Sequence, residues 1–219
     1  MPIGKSFYTA LVLTVGAHAA ALAADSDLSI NARLLLAARN SDTAGVERAL
    51  QAGASADSRN RLGETPLLIA LKKKDLAVAK AMLDAGTDPN IAAVNGVTPL
   101  MAAAHAGLGD VVATLLAKGA DPRAEDRIGK NAMTYAAGEG HADIIGQLLA
   151  RGIDPNAAYR NDLTALMWAA GYGRSAAVRS LLAAGARTDP RDNRGKTALD
   201  IAREAGFEET AALLSLSPK

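Results

Sequence analysis

The sequence of 219 residues contains no cysteine and few aromatic residues. Without cysteine, the chain has no disulfide, no thiolate metal ligand, no cysteine nucleophile and no point of attachment for a lipoprotein anchor. Aromatic residues make up only 3% of the chain, although 49% of its residues are hydrophobic. The apolar content is therefore mostly alanine, leucine and valine. Such small side chains suit closely packed short helices better than the core and pocket walls of an ordinary enzyme.

An excess of one charge is also missing, because the formal net charge is only +1. The longest run of one sign is Lys72-Lys73-Lys74, which is typical of a solvated helix end. Nucleic-acid binding needs a basic stripe, and the sequence shows none. We therefore expect no nucleic-acid partner.

The first 24 residues have the three parts of a secretory signal peptide. Lys5 is the only charged residue before Asp25, residues 7–15 are apolar, and Ala21-Leu22-Ala23 offers a small-residue cleavage site. An uncleaved membrane anchor is the alternative, but its apolar part would be shorter than the roughly 20 residues that span a bilayer. We expect residues 1–24 to be removed, residues 25–219 to reach the periplasm, and no membrane attachment to remain.

The rest of the chain repeats with a period of 33 residues. A glycine recurs at this spacing or a multiple of it, at Gly63, Gly96, Gly129 and Gly195, and Asp162 fills the missing position. A second series in the same register comprises Gly53, Gly86, Gly119, Gly152 and Gly185. No insertion breaks the period. Self-similarity of this length is the signature of stacked structural repeats.

The third copy shows the unit in full, GVTPLMAAAHAGLGDVVATLLAKGADPRAEDRI. Thr98 suits a helix N-cap and Pro99 the first helical position. Gly107 ends this helix, Gly119 ends a second one, and the segment that follows is predicted to be extended up to the turn at Gly129. Helices shorter than about 12–15 residues are marginal alone, so the stability of these must come from stacking.

These motifs closely resemble the ankyrin repeat, whose signatures are T-P-L, the Ala-Ala pair, the glycine between helices and L-L-x-x-G-A-D. The resemblance covers about residues 28–214. It implies an all-α repeat solenoid of helix-turn-helix units, each with a β-hairpin finger. We expect six repeats, near residues 30–62, 63–95, 96–128, 129–161, 162–194 and 195–219. The first and last are caps, because Ala32-Arg33 replaces Thr-Pro and Ser215 replaces an apolar residue.

Three departures from the unit are local. Lys74 replaces the glycine between the two helices of its repeat, and Asn131-Ala132-Met133 replaces Thr-Pro-Leu. Asparagine is an equally good N-cap. Asp162 replaces the turn glycine, and aspartate tolerates left-handed backbone better than most residues. We expect none of them to change the fold.

Candidate catalytic and metal-binding groups have simpler structural explanations. Aspartate-proline recurs once per repeat and is expected to form turns; the aspartates are Asp88, Asp121, Asp154 and Asp189. His105 and His141 are not equivalent in the repeat, so a shared metal is not expected. Trp168 occupies a position that is mostly core in other copies, whereas Tyr172 occupies a variable one and is the better binding candidate. We expect no enzyme, no cofactor and no metal.

The resemblance implies a scaffold for protein recognition, in which finger tips and first helices line a concave groove. The residues expected to contact a partner protein are Arg61, Leu62, Met101, His105, Arg127, Ile128, Arg160, Met167, Tyr172 and Arg194. Similar exported bacterial proteins imply an accessory to an envelope or oxidative-stress enzyme such as a catalase. The alternatives are an inhibitor or immunity protein that blocks a toxin or enzyme, and a spacer without a partner. We expect the chain alone to be monomeric.

Export is the first testable expectation. Because the cleavage motif ends at Ala23, protein recovered from the periplasm should begin at Ala24 or Asp25. Intact-mass spectrometry of the purified protein measures this start directly. A full-length species confined to the cytoplasm would contradict the prediction.

Overall fold

The computed structural model describes residues 28–216, so the predicted signal peptide and its cleavage site lie outside the described residues. Within this range the chain forms twelve α-helices, and one pair of helices falls in each of the six predicted repeats. The helices are α1 (Ile30–Arg39), α2 (Thr43–Gln51), α3 (Pro66–Lys73), α4 (Leu76–Asp84), α5 (Pro99–Ala106), α6 (Gly109–Ala117), α7 (Ala132–Glu139), α8 (Ala142–Ala150), α9 (Ala165–Gly171), α10 (Ser175–Ala183), α11 (Ala198–Glu204) and α12 (Glu208–Ser215). A single turn of 3-10 helix, Arg160–Asp162, precedes α9.

The first helix of each pair begins at a side-chain cap, which falls in the register of the period in every repeat but the first, where Ser29 lies three residues before that register. Its N-cap side chain accepts a hydrogen bond from the backbone N–H three residues later, which satisfies one of the donors left free at a helix start. These N-caps are Ser29, Thr65, Thr98, Asn131, Thr164 and Thr197. Asn131 and Thr134 bond each other's backbone reciprocally, so the departure from Thr-Pro-Leu preserves the cap.

The other two departures fall where the backbone is left-handed. Lys74 has φ 57°, and Gly107, at the equivalent turn one repeat later, has φ 76°. Asp162 has φ 58°. Side chains other than glycine rarely adopt this region. The turn keeps its geometry at Lys74, whereas at Asp162 the preceding Asn161 is also left-handed, with φ 63°, and the finger is locally altered. The fold itself is unchanged at both positions.

The helices form two layers around one continuous core. The inner layer consists of the first helix of each pair, and each inner helix packs on the next one and on its own outer partner. The core runs the length of the stack and consists largely of alanine and leucine. Because alanine dominates the inner helices, these helices approach closely enough to bury one another. The all-α solenoid predicted from the sequence is confirmed.

The fingers between repeats differ in detail from the β-hairpins that the resemblance implies. Among residues 28–216 no strand forms; the nearest feature is an isolated bridge between Ala158 and Thr164. A typical finger is a tight turn in which the N–H of Asp126 donates to the carbonyl of Lys130 at 2.8 Å, and the N–H of Gly129 donates to the carbonyl of Asp126 at 2.9 Å. The next helix begins two residues later, which leaves no room for a longer ladder.

Each end of the stack exposes a leucine to solvent. In α1, Leu34 is buried but Leu36 is 42% exposed, and at the other end Leu216 is 85% exposed. Within the part of the chain that the structure describes, no helix is long and apolar enough to cross a membrane.

Truncation of a core leucine tests the stacking. Leu115 in α6 has no exposed surface, so Leu115→Ala should lower the free energy of unfolding by about 2–5 kcal/mol through lost burial and a cavity. The exposed Leu216 is the matched control, and Leu216→Ala should be nearly neutral. Urea unfolding followed by circular dichroism compares the two variants. Equal losses at both positions would overturn the assigned repeat register.

Candidate protein-binding groove

The finger tips are held by side chains at a recurring position just before each tip. The carboxylate of Asp126 accepts from the backbone N–H groups of Ile128 and Lys130, both at 2.9 Å. Asn60 and Asp192 accept equivalent pairs of bonds in the first and last fingers. Burial raises the pKa of Asp192, but the bonds from Lys196 and Arg194 outweigh burial and hold this pKa below its ordinary value. The turns therefore present the tip residues to solvent in a fixed geometry.

Backbone hydrogen bonds also join neighbouring fingers. The N–H of Val94 donates to the carbonyl of Leu62 at 2.8 Å, and the N–H of Arg127 donates to the carbonyl of Asn95 at 3.0 Å. At the fourth finger the contact changes, because Asn161 and Asp162 both have left-handed backbone. There the side chain of Arg160 donates to the carbonyl of Arg127 at 3.3 Å. The tips thus form a row along one edge of the stack.

Two cavities lie between this row and the inner helices. One, of about 250 Å³, is lined at the tips by Leu62, Val94, Asn95 and Arg127 and below them by Glu64, Lys72 and Ala93. The other, of about 470 Å³, lies deeper and is lined by Lys72, Lys74, Val97, Met101, Ala102, His105, Ala106, Tyr135 and Glu139. Lys72 lines both cavities, so the two are adjacent, and their lining residues run from Leu62 in the first repeat to Glu139 in the fourth. We call this face of the stack the groove.

A cluster of aromatic rings continues the groove into the fifth repeat. The rings of Trp168 and Tyr172 stack with centroids 6.1 Å apart. The Lys130 ammonium lies 4.1 Å from the centroid of Trp168 and 5.4 Å from that of Tyr135, which is within cation–π range.

Tyr135 is fixed at its polar end. Its hydroxyl donates to the second carboxylate oxygen of Asp126 at 2.7 Å. Burial, and next the bond to Asp126, raise the pKa of Tyr135 well above its ordinary value. The ring is therefore a protonated donor at neutral pH, and it connects the third finger to α7.

Charged side chains line the wall beside these rings. Glu139 lies between a histidine and an arginine, with one carboxylate oxygen 3.4 Å from Nδ1 of His105 and the other 3.7 Å from Arg174. His105 also meets the Tyr135 ring edge-on, with centroids 5.6 Å apart. His141 lies at the turn before α8, with Nε2 3.3 Å from the carbonyl of His105. Among residues 28–216 no group of three or more histidines and carboxylates could hold a metal ion.

The structure exposes eight of the ten predicted contact residues. The eight are Arg61, Leu62, His105, Arg127, Ile128, Arg160, Tyr172 and Arg194. Met101 and Met167 are only 1% and 2% exposed, although Met101 lines the larger cavity. Each lies one residue before the position of the inner helix that faces the groove, which is Ala102 in α5 and Trp168 in α9. The side chains of both methionines pack inside the stack instead.

Sequence reasoning missed the residues on that outward-facing position. Ala102, Tyr135 and Trp168 succeed one another there, and the structure places Tyr135 and Trp168 partly exposed on the groove. The change from alanine to tyrosine and tryptophan at one position of the repeat could have indicated that this position faces the groove. Lys130 was also missed, because nothing in the sequence shows that its side chain lies over two rings.

The recurring aspartate-proline pairs are turn formers, as the sequence analysis expects. Asp88, Asp121 and Asp154 each accept a bond from the backbone N–H two residues later, at 2.8 Å. In the last copy Asp189 instead pairs with Arg187 at 2.6 Å. Each of these carboxylates thus has a structural role in its own turn or ion pair.

Comparison with known proteins agrees with this architecture. A family model described as ankyrin repeats in three copies matches residues 34–126, 95–159 and 133–218. The crystal structure of EF0377, an ankyrin-repeat protein, aligns with a TM-score of 0.75 at 33% sequence identity, covering 86% of this chain and 98% of that one. No curated protein matches.

The contribution of the hydrogen bond between Tyr135 and Asp126 to stability can be tested by mutation. Tyr135→Phe leaves a largely buried carboxylate oxygen without its donor and should cost about 1–2 kcal/mol of unfolding free energy. Because the pKa of Tyr135 is raised, this stabilisation should persist at neutral pH and fall only above the ordinary tyrosine pKa of about 10. Tyr172→Phe, at a ring that is 50% exposed, is the matched control and should change little. Urea unfolding at neutral pH measures both, and equal costs would contradict the role assigned to the Tyr135 hydroxyl.

Proposed function

Because the chain belongs to the ankyrin-repeat family, we propose that it binds a partner protein through its concave groove. Ankyrin repeats generally mediate protein–protein interaction, and proteins of this fold are typically binding scaffolds rather than enzymes. The observation that carries the proposal is the groove, whose two adjacent cavities share Lys72.

The apolar side chains along the finger row support this function. Leu62, Val94 and Ile128 lie on successive fingers and are 64%, 50% and 59% exposed. Clustered exposed apolar side chains mark interaction sites more often than isolated ones do. Arginine and tyrosine, which are enriched at the energetic centres of interfaces, lie beside them at Arg127 and Tyr172.

The proposed compartment is the periplasm, and its support is the signal-peptide pattern of residues 1–24. There the partner would be an envelope or oxidative-stress enzyme, such as a catalase, that this protein assists. An inhibitor or immunity protein would use the same groove to block its target. Activity of the isolated partner with and without one equivalent of this protein distinguishes the two roles, because an accessory maintains or raises the activity and an inhibitor abolishes it.

Truncation at the groove tests the proposal. Arg160 and Tyr172 are exposed and lie off the buried core, so Arg160→Ala combined with Tyr172→Ala should leave folding almost intact. If these side chains contact the partner, the double variant should lose at least about 2 kcal/mol of binding free energy. The partner is first captured from envelope extract with the mature protein, identified by mass spectrometry, purified and then titrated with both forms.

The matched control places similar truncations on the outer helices. Arg48 in α2 and Leu76 in α4 are exposed there, and Arg48→Ala with Leu76→Ala should bind normally. Thermal melting verifies that both double variants are folded. Normal binding by the Arg160→Ala/Tyr172→Ala variant would place the partner on another face.

A further inference from the structure

Several cations along the groove have no carboxylate partner. Arg61, Arg127 and Arg160 lie on finger tips, and Lys74 lines the deeper cavity. None of these four takes part in an ion pair among residues 28–216. Arg127 and Arg160 are also neighbours of like charge, since the side chain of one bonds the backbone carbonyl of the other. Their positive charge is therefore not neutralised within the protein.

The carboxylates closest to the groove are already engaged. Glu64 accepts from Lys72 at 2.6 Å and from the side chain of Asn60 at 2.8 Å. Burial raises the pKa of Glu64, but these bonds outweigh burial and the pKa is lowered, so Glu64 is ionised and paired at neutral pH. Glu139 is shared between His105 and Arg174.

Four further acids serve the outer helices. Asp42 and Asp75 cap the starts of α2 and α4, and Asp110 and Asp143 lie in the first turns of α6 and α8. Negative charge at a helix N-terminus stabilises the helix through its dipole.

A few acids also lie at the fingers. Asp126 and Asp192 accept hydrogen bonds from the backbone of their own finger turns, and the exposed Asp162 lies on the same tip as Arg160. Arg61, Arg127 and Arg160 outnumber Asp162 on the exposed tips of the first four fingers. A chain with almost no net charge thus has a groove edge with an excess of positive charge.

From this charge distribution we propose that the groove binds an acidic, extended segment of the partner protein, in which carboxylates alternate with apolar side chains. This inference rests on the proposed function and specifies the chemistry of the partner. The carboxylates would lie between Arg61, Arg127 and Arg160. Apolar side chains would pack on Leu62 and Val94 and on the alanines that line the deeper cavity, Ala102 and Ala106.

A nucleic acid would also be attracted to positive charge, but the groove favours a peptide. Phosphate recognition uses a continuous row of cations, whereas here exposed apolar side chains stand between the arginines. Apolar contacts beside charged ones are the composition of a protein–protein interface. Binding of an oligonucleotide is accordingly an outcome that the test must be able to detect.

The probe is a synthetic peptide of about 12 residues built from Gly-Glu-Leu repeats, which spans up to about 40 Å when extended. Matched peptides carry glutamine or lysine in place of glutamate, and an oligothymidine of similar length is the fourth ligand. Isothermal titration calorimetry with the mature protein should show at least about tenfold tighter binding of the glutamate peptide than of the other three. Raising the ionic strength from about 0.1 M to about 1 M, which shortens the Debye length from about 10 Å to about 3 Å, should remove this preference.

Charge reversal locates the binding. Lys74→Glu combined with Arg127→Glu should weaken binding of the glutamate peptide at least about tenfold, because both sites face the groove. Lys118→Glu combined with Arg203→Glu makes the same change in net charge at exposed sites in other parts of the stack and should leave binding unchanged. Thermal melting verifies folding of both.

Each contrary result has a definite meaning. Equal affinity for the glutamate and glutamine peptides, or tighter binding of oligothymidine, would overturn the acidic segment as the ligand. Equal loss in the two charge-reversed variants would show that net charge rather than the groove attracts the peptide. Neither result would contradict the proposed function if the Arg160→Ala/Tyr172→Ala variant still loses its partner, so the two failures are distinguishable.

Discussion

The structure depends on one constraint, which is that no helix in it can bury its own apolar face. Each of the twelve described helices has between seven and ten residues, below the length at which an isolated helix is stable in water. Burial comes from the partner helix of the same pair and from the neighbouring copies, and the alanine-rich inner helices allow close approach. The cap threonines and the left-handed turns follow from this constraint, because each helix must stop within about two turns and the next one must start in register.

Much of this architecture could be predicted from the sequence because one geometry is repeated. A threonine at an N-cap or a residue in a left-handed turn appears several times in the same register, so the exceptions Lys74, Asn131 and Asp162 could be interpreted from the copies around them. The groove residues were harder to predict, because they are the ones that the period does not fix. Met101 and Met167 were assigned to the surface, although a one-residue step around a helix turns a side chain from the groove into the core.

The distribution of charge along the finger tips could not be predicted from the composition. Summed over the sequence, basic and acidic residues nearly cancel, which suggests a chain without electrostatic preference. The fold separates many of them, because most outer helices have an acid at their start, while exposed arginines outnumber acids on the finger tips. Neither the cation–π contact of Lys130 nor the bond from Tyr135 to Asp126 could be predicted, since each joins side chains whose proximity arises only when the finger folds back over the inner helix.

Trp168 is the only tryptophan in the chain, and the fold places it in the groove. Its indole lies beneath an ammonium group and beside a stacked phenol, and it is partly buried. Tryptophan fluorescence, excited at a wavelength that tyrosine does not absorb, therefore originates from one ring at the surface where a partner would arrive. Binding in the groove should therefore change the emission wavelength or intensity of Trp168, so it can be followed without an attached dye.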